Sequence, residues 1–174
     1  PVYNDLKRIT QLPDDYYYTK AITDSAVSFI HTHDVNKPMF LYLAHYAPHL
    51  PLQAPAEYVE KCMDRYKVGY DVLRKQRFEK QKSLGLIPDN IELPIFNKEF
   101  NGKRPSWNEL TPEQQEKWIK DMATYAAMIE IMDEGIGQVI KELKKKNMYE
   151  NTVFLFMSDN GATDEGGFIE QLMS

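Results

Sequence analysis

The sequence predicts an α/β fold in which two or more parallel interior strands are flanked by helices. Two runs carry that prediction: residues 38–44 (Pro38-Met39-Phe40-Leu41-Tyr42-Leu43-Ala44) and residues 152–157 (Thr152-Val153-Phe154-Leu155-Phe156-Met157). Both are short, uninterrupted and apolar, the pattern of a strand buried on both faces. Between them lies a long stretch of helical periodicity, and strands joined through helices run parallel. Two such strands are too few to complete a sheet. The pattern therefore implies strands contributed by a longer parent protein.

The remaining elements follow in order. After Pro13, residues 14–31 read as a helix, because Ile22, Ala26, Phe29 and Ile30 recur at helical spacing and Asp14 and Asp15 suit a first turn. His31 and His33 then stand at its end, where cationic side chains complement the helix dipole. The first strand runs straight into residues 45–55, whose Pro48, Pro51 and Pro55 forbid helix or central strand. That segment must be an extended loop. Pro55 can open a short helix through Tyr58 and Val59, and a further helix over residues 70–84 is stopped by Gly85. Cys62 reads as a small hydrophobe on the first of these. Residues 86–110, with Pro88, Pro94 and Pro105 and no steady period, look like a surface excursion.

The clearest helix opens at Thr111-Pro112-Glu113-Gln114, where Thr111 caps, Pro112 fits the first turn and Gln114 completes a capping box. Trp118, Met122, Tyr125, Ile129, Met132, Ile136, Val139 and Leu143 then form a stripe expected to bury against a sheet. Gly135 and Gly137 weaken the helix locally and are expected to bend it; Asn147 ends it.

Composition removes several function classes. The chain has 174 residues, 43% hydrophobic and 12% aromatic, and is that of a folded protein. A formal net charge of −5 argues against a nucleic-acid partner. The basic run at 141–146 falls at a helix end, where lysines favour the dipole and stay solvated. Cys62 is the only cysteine, so neither an intrachain disulfide nor a cysteine zinc cluster can form. No apolar run reaches the ~18 residues of a membrane span. The chain begins with Pro1 rather than Met, and no signal segment is present in it.

Ligands in open α/β sheets gather outside the carboxyl ends of the strands. Two polar clusters fall at such ends: the loop from His45 to His49, and Ser158-Asp159-Asn160-Gly161. Asp159 and Asn160 are adjacent oxygen donors of the kind that hold Ca²⁺ or Mg²⁺. Asp-Asn-Gly is also an ordinary turn sequence. What favours the site is position, since a carboxylate straight after a buried strand needs a partner. His49, between Pro48 and Leu50-Pro51, can exchange a proton near neutral pH; the alternative is a histidine bonded to a backbone carbonyl. His45 reads as packing. Asp164, Glu165, Gly166 and Gly167 read as a solvated acidic loop.

At these residues the chain resembles the arylsulfatases of the alkaline-phosphatase-like superfamily. Phe40-Leu41-Tyr42-Leu43-Ala44 through Ala47-Pro48-His49-Leu50-Pro51-Leu52-Gln53-Ala54-Pro55 looks like the family's Y-L-A-x-x-A-P-H-x-P-L-Q-A-P. Met122-Ala123-Thr124-Tyr125-Ala126-Ala127-Met128-Ile129 with Met132-Asp133 resembles its central helix, and Ser158-Asp159-Asn160-Gly161-Ala162 its S-D-N-G-A turn. Similarity also covers residues 15–30 and 66–88, in the family's order. The resemblance implies a partial alkaline-phosphatase-like fold and cleavage of sulfate esters, either aryl sulfates or sulfated glycans. It implies Ca²⁺ on Asp159 and Asn160, with Asp159 also helping to deprotonate the nucleophile. It implies His49 as a contact to the sulfate that protonates the leaving oxygen.

The family's nucleophile is formylglycine, made from a C/S-x-P-S-R or C-x-A-x-R motif, and neither motif is present. Cys62 has Arg65 three residues on, where the motif requires four. The family's paired aspartates and two active-site lysines are missing too. Residues 1–174 are therefore expected to be an internal segment of a sulfatase catalytic domain, without turnover alone and, by family habit, from a periplasmic or secreted enzyme. A phosphoester hydrolase of the same superfamily and a non-catalytic module are the competing readings.

Overall fold

The computed structural model describes residues 2–94 and 105–161. Its frame is helical. A small antiparallel hairpin, β1 (Val2–Asn4) and β2 (Lys7–Ile9), pairs Val2 with Ile9 and Tyr3 with Arg8, with Asp5 at φ 53° in the turn. Four α-helices follow: α1 (Tyr18–Thr32), α2 (Ala56–Tyr66), α3 (Tyr70–Ser83) and α4 (Pro112–Lys145). No helix among the described residues is long and apolar enough to cross a membrane.

The 34-residue helix α4 is the spine. Its start is as the sequence requires: the Thr111 hydroxyl accepts from Gln114 N, the Gln114 side chain accepts from Thr111 N, and Pro112 occupies the first turn. Asn147, at φ 58°, ends it in the left-handed region that asparagine tolerates better than most residues. Its first half packs on α2, joining Ala123, Ala126 and Ala127 to Cys62 and Tyr66. Its last half packs on α1, joining Val139 and Leu143 to Ala26 and Ile30. Polar pairs tie the same helices together: Tyr58 Oη donates to Glu134 Oε2 (2.6 Å), and Arg65 Nη2 to Glu130 Oε1 (3.1 Å). Small alanines on α4 let α2 approach closely. Cys62 is fully buried there, and burial, then the charge of Glu130, pushes its thiol pKa up.

The structure corrects several expectations. α1 begins at Tyr18 rather than residue 14, because Tyr16 N bonds back to Pro13 O (3.0 Å) and folds Asp14 and Asp15 into a turn. No side chain caps the helix start. The stripe on α4 divides: Val139 and Leu143 are buried, whereas Trp118, Tyr125 and Ile129 are 36–40% exposed. The buried face is shifted towards Ala123, Ala127, Ile131 and Gly135, since helices rather than a sheet cover it. α4 runs as one helix through Gly135 and Gly137, and Gly135 is instead a contact with Thr23 of α1. The surface excursion contains a 3-10 turn over Trp107–Glu109, held by reciprocal bonds between Ser106 and Glu109. Residues 95–104 of that excursion lie outside the described residues.

The two apolar runs carry the largest correction. Residues 38–44 and 152–157 form no regular element and pair with no strand, so no parallel ladder forms among the described residues. A strand is completed by the backbone of a neighbour, which periodicity cannot supply. The first run nevertheless keeps the alternation of a strand. Met39, Leu41 and Leu43 lie on the α1–α4 core, while Phe40 and Tyr42 are 93% and 81% exposed. Val153, Leu155 and Phe156 stand out similarly, each 80% exposed or more.

Candidate active-site loops

Residues 45–55 leave the first apolar run and form the candidate loop. It is held by its own backbone and by tyrosines. His49 N donates to Tyr46 O (3.0 Å), and Tyr46 Oη donates to Leu50 O (2.8 Å). Tyr17 Oη donates to Gln53 O (2.9 Å), which anchors the far end of the loop beside the start of α1. Ala47 is buried beneath. The peptide bonds before Pro48 and Pro51 are cis.

His49 is exposed, its ring 4.8 Å from that of Tyr46 and tilted 41° to it. Its Nδ1 lies 2.7 Å from Leu50 O. A carbonyl can only accept, so Nδ1 carries hydrogen and Nε2 is the nitrogen left to exchange a proton. The backbone-bonded alternative is thus realised at Nδ1 without consuming the other nitrogen. Tyr46 is the residue that sequence reading missed. Its signal is the four-residue step to Leu50 across a proline-rich loop, where a hydroxyl can reach a carbonyl.

His45, three residues closer to the strand end than Pro48, is half-buried, and neither ring nitrogen has a hydrogen-bond partner. Burial pulls its pKa below 6.5, so it sits in the fold as neutral imidazole.

The second cluster follows the 152–157 run. Ser158 Oγ donates to Asn160 O (2.6 Å) and Asn160 Nδ2 to Gly161 O (2.8 Å), closing a tight turn. Asn160 Oδ1 and the Asp159 carboxylate have no hydrogen-bond partner among the described residues, and both residues are exposed. Two adjacent hard oxygen donors of this kind fit part of a Ca²⁺ shell, which takes six to eight oxygens. No group of three or more His, Cys, Asp or Glu side chains able to hold a metal occurs among the described residues. Nor does a hydrogen bond, ion pair or ring contact there join His49 to Asp159 or Asn160. Asp164, Glu165, Gly166 and Gly167 lie outside the described residues.

The other two histidines are committed to structure. His31 Nδ1 donates to Glu142 Oε1 (2.9 Å), and His33 Nε2 to Lys37 O (2.9 Å). Lys146 Nζ donates to His31 O (2.9 Å), so the basic helix end secures α1 to α4.

The sequence matches the family model described as Sulfatase over residues 1–172. It is 41% identical over 158 residues to an uncharacterized sulfatase of Schizosaccharomyces pombe, a match covering 91% of this chain and 28% of that protein. It is 40% identical over 157 residues to an arylsulfatase of Klebsiella aerogenes, covering 90% of this chain and 33% of that protein. Arylsulfatase J of Mus musculus is 29% identical over 151 residues, covering 87% and 17%. The chain thus spans a third or less of the length of these relatives. Matched by the family model over residues 1–172, with its proline-bound histidine and its Asp-Asn-Gly turn each placed after an apolar run, this chain belongs to the sulfatase family.

Proposed function

We propose that residues 1–174 form an internal segment of the catalytic domain of a sulfate-ester hydrolase, supplying the acid that protonates the leaving group and two oxygen ligands of a calcium site. The single observation that carries this reading is the bond from His49 Nδ1 to Leu50 O (2.7 Å). It fixes the ring and directs the exchangeable proton to Nε2. Cleavage of a sulfate ester leaves an alkoxide or phenoxide, and an Nε2–H within reach of that oxygen delivers the proton it needs.

Asp159 and Asn160 would hold the cation through a carboxylate oxygen and Oδ1, on a turn braced by Ser158. Bound calcium would draw charge from the sulfuryl oxygens. Asp159 also stands as the base that helps deprotonate the nucleophile. The nucleophile, expected to be formylglycine, is no residue of this chain, and the chain by itself has no turnover. The substrates are aryl sulfates or sulfated glycans, and the setting is the periplasm or the cell exterior.

The test compares His49→Ala with the unaltered enzyme in the full-length parent protein, on nitrophenyl sulfate and on an unactivated alkyl sulfate. Loss of a general acid costs about 10²–10⁴-fold and falls hardest on the poorer leaving group. An equal effect on both esters removes His49 from the acid role. A matching phosphate ester serves as control: faster turnover of the phosphate than of the sulfate rejects the substrate class. Asp159→Ala is expected to weaken Ca²⁺ binding by the same protein, and unchanged affinity rejects the metal assignment.

A further inference from the structure

Away from both loops, a cavity of about 490 Å³ lies between α3 and the first half of α4. That volume suits a small organic ligand. α3 builds one wall from Tyr70, Arg74, Arg77 and Phe78, positions one, two and just over two turns apart on a single helix face. Trp118 of α4 and Trp107 of the 3-10 turn supply the other. Tyr70 meets both indoles edge-on, at centroid distances of 5.3 Å and 6.1 Å.

The walls are fixed. Trp107 N donates to Asp71 Oδ2 (2.8 Å), and Trp107 O accepts from Gln115 Nε2 (3.0 Å). The Trp107 ring lies so close over Gly69, at φ 81°, that any side chain there would collide with it. Arg74 Nη2 donates to Pro94 O (2.6 Å). Arg77 is exposed at the rim and has no hydrogen-bond or ion-pair partner among the described residues. In a chain of net charge −5, two guanidinium groups on one aromatic cavity give it local complementarity to an anion. Indole faces stack on flat or C–H-rich rings, and a guanidinium fork matches an oxyanion.

We propose that this cavity binds a small organic anion, its ring packed against Trp118 and its oxyanion group held by Arg77. The ring belongs to an arene or a sugar; the chemistry is common to both. Such binding goes beyond the role of His49 and stands independently of it.

Trp107 and Trp118 are the only tryptophans, and both line the cavity, so intrinsic fluorescence of the chain reports on it. Benzenesulfonate and glucose 6-sulfate are titrated at constant ionic strength, with benzyl alcohol and glucose as uncharged counterparts. A saturable change of emission in the millimolar range with either anion is expected, and which anion gives it identifies the ring. Arg77→Gln, at an exposed position, should keep the far-UV circular dichroism and weaken anion binding about tenfold or more. His49→Ala should bind as the unaltered chain does. The proposal is overturned by absence of saturation with both anions, by equal binding of charged and uncharged ligands, by unchanged affinity in Arg77→Gln, or by loss of binding in His49→Ala.

Discussion

Gly135 of α4 lies directly against Thr23 of α1: a methyl group on Gly135 would stand 3.2 Å from Thr23 Cγ2 and closer still to its hydroxyl oxygen. Thr23 cannot give way easily, being 1% exposed with its Oγ1 donating to Thr19 O (2.9 Å). This contact sets how closely the last half of α4 approaches α1.

Gly135→Ala is accordingly expected to destabilise the chain by about 1–3 kcal/mol, although alanine is the better helix former. Gly137, two residues on, faces open space, with nothing within 4 Å of where a methyl group would stand. Gly137→Ala should therefore stabilise by up to about 1 kcal/mol. Urea denaturation of both variants checks the pair. A Thr23→Ala/Gly135→Ala double variant should recover part of the loss, because the clash has two owners.

The His31–Glu142 bond makes stability depend on acid pH. The hydrogen bond from His31, followed by the charge of Lys145, holds the Glu142 carboxyl below its ordinary 4.5 against the opposing effect of burial. A carboxyl with a lowered folded pKa stabilises above the unfolded value and loses that contribution as pH falls through the folded one. Glu142→Gln should therefore lower the melting temperature near neutral pH, and the deficit should shrink as pH drops below 4.5. Melting curves across that range decide it; a constant deficit would mean that charge plays no part.

His45 acts in the same direction through a different cause. Burial lowers its pKa from 6.5, so the unfolded chain takes up a proton there that the folded chain resists. Stability should fall as pH drops below 6.5. His45→Leu removes the two unpartnered ring nitrogens and should flatten that part of the profile, with the largest gain on the acid side.

Alternation along the 38–44 run predicts unequal effects at neighbouring positions. Leu41→Ala, on the α1–α4 core, should cost about 1–2 kcal/mol. Phe40→Thr, at a position 93% exposed, should leave the urea midpoint nearly unchanged while reducing self-association measured by light scattering. Equal destabilisation by the two would contradict the one-sided packing.

Most helices were legible because their signals are local. The Thr111–Gln114 capping box, Pro112 in the first turn, Asn147 past the end and Gly85 after α3 each act through backbone chemistry within a few residues. Where such a signal was overridden, the cause was a neighbouring bond: the Pro13–Tyr16 turn displaced Asp14 and Asp15 from α1. Periodicity gave α4 its helix and only part of its buried face. Ala123 and Ala127 carry little hydrophobic weight, yet they are fully buried because α2 needs small residues there.

By itself the sequence determined the helices, the proline-bound loop of His49, the Asp159-Asn160-Gly161 turn and the family to which they belong. Tertiary structure alone decided that Met39, Leu41 and Leu43 rest on α1 and α4 while Phe40 and Tyr42 stay bare, and that Trp107 and Trp118 face arginines across a cavity. Helix signals close within one or two turns of backbone, whereas strand pairing and cavities depend on which distant surfaces meet.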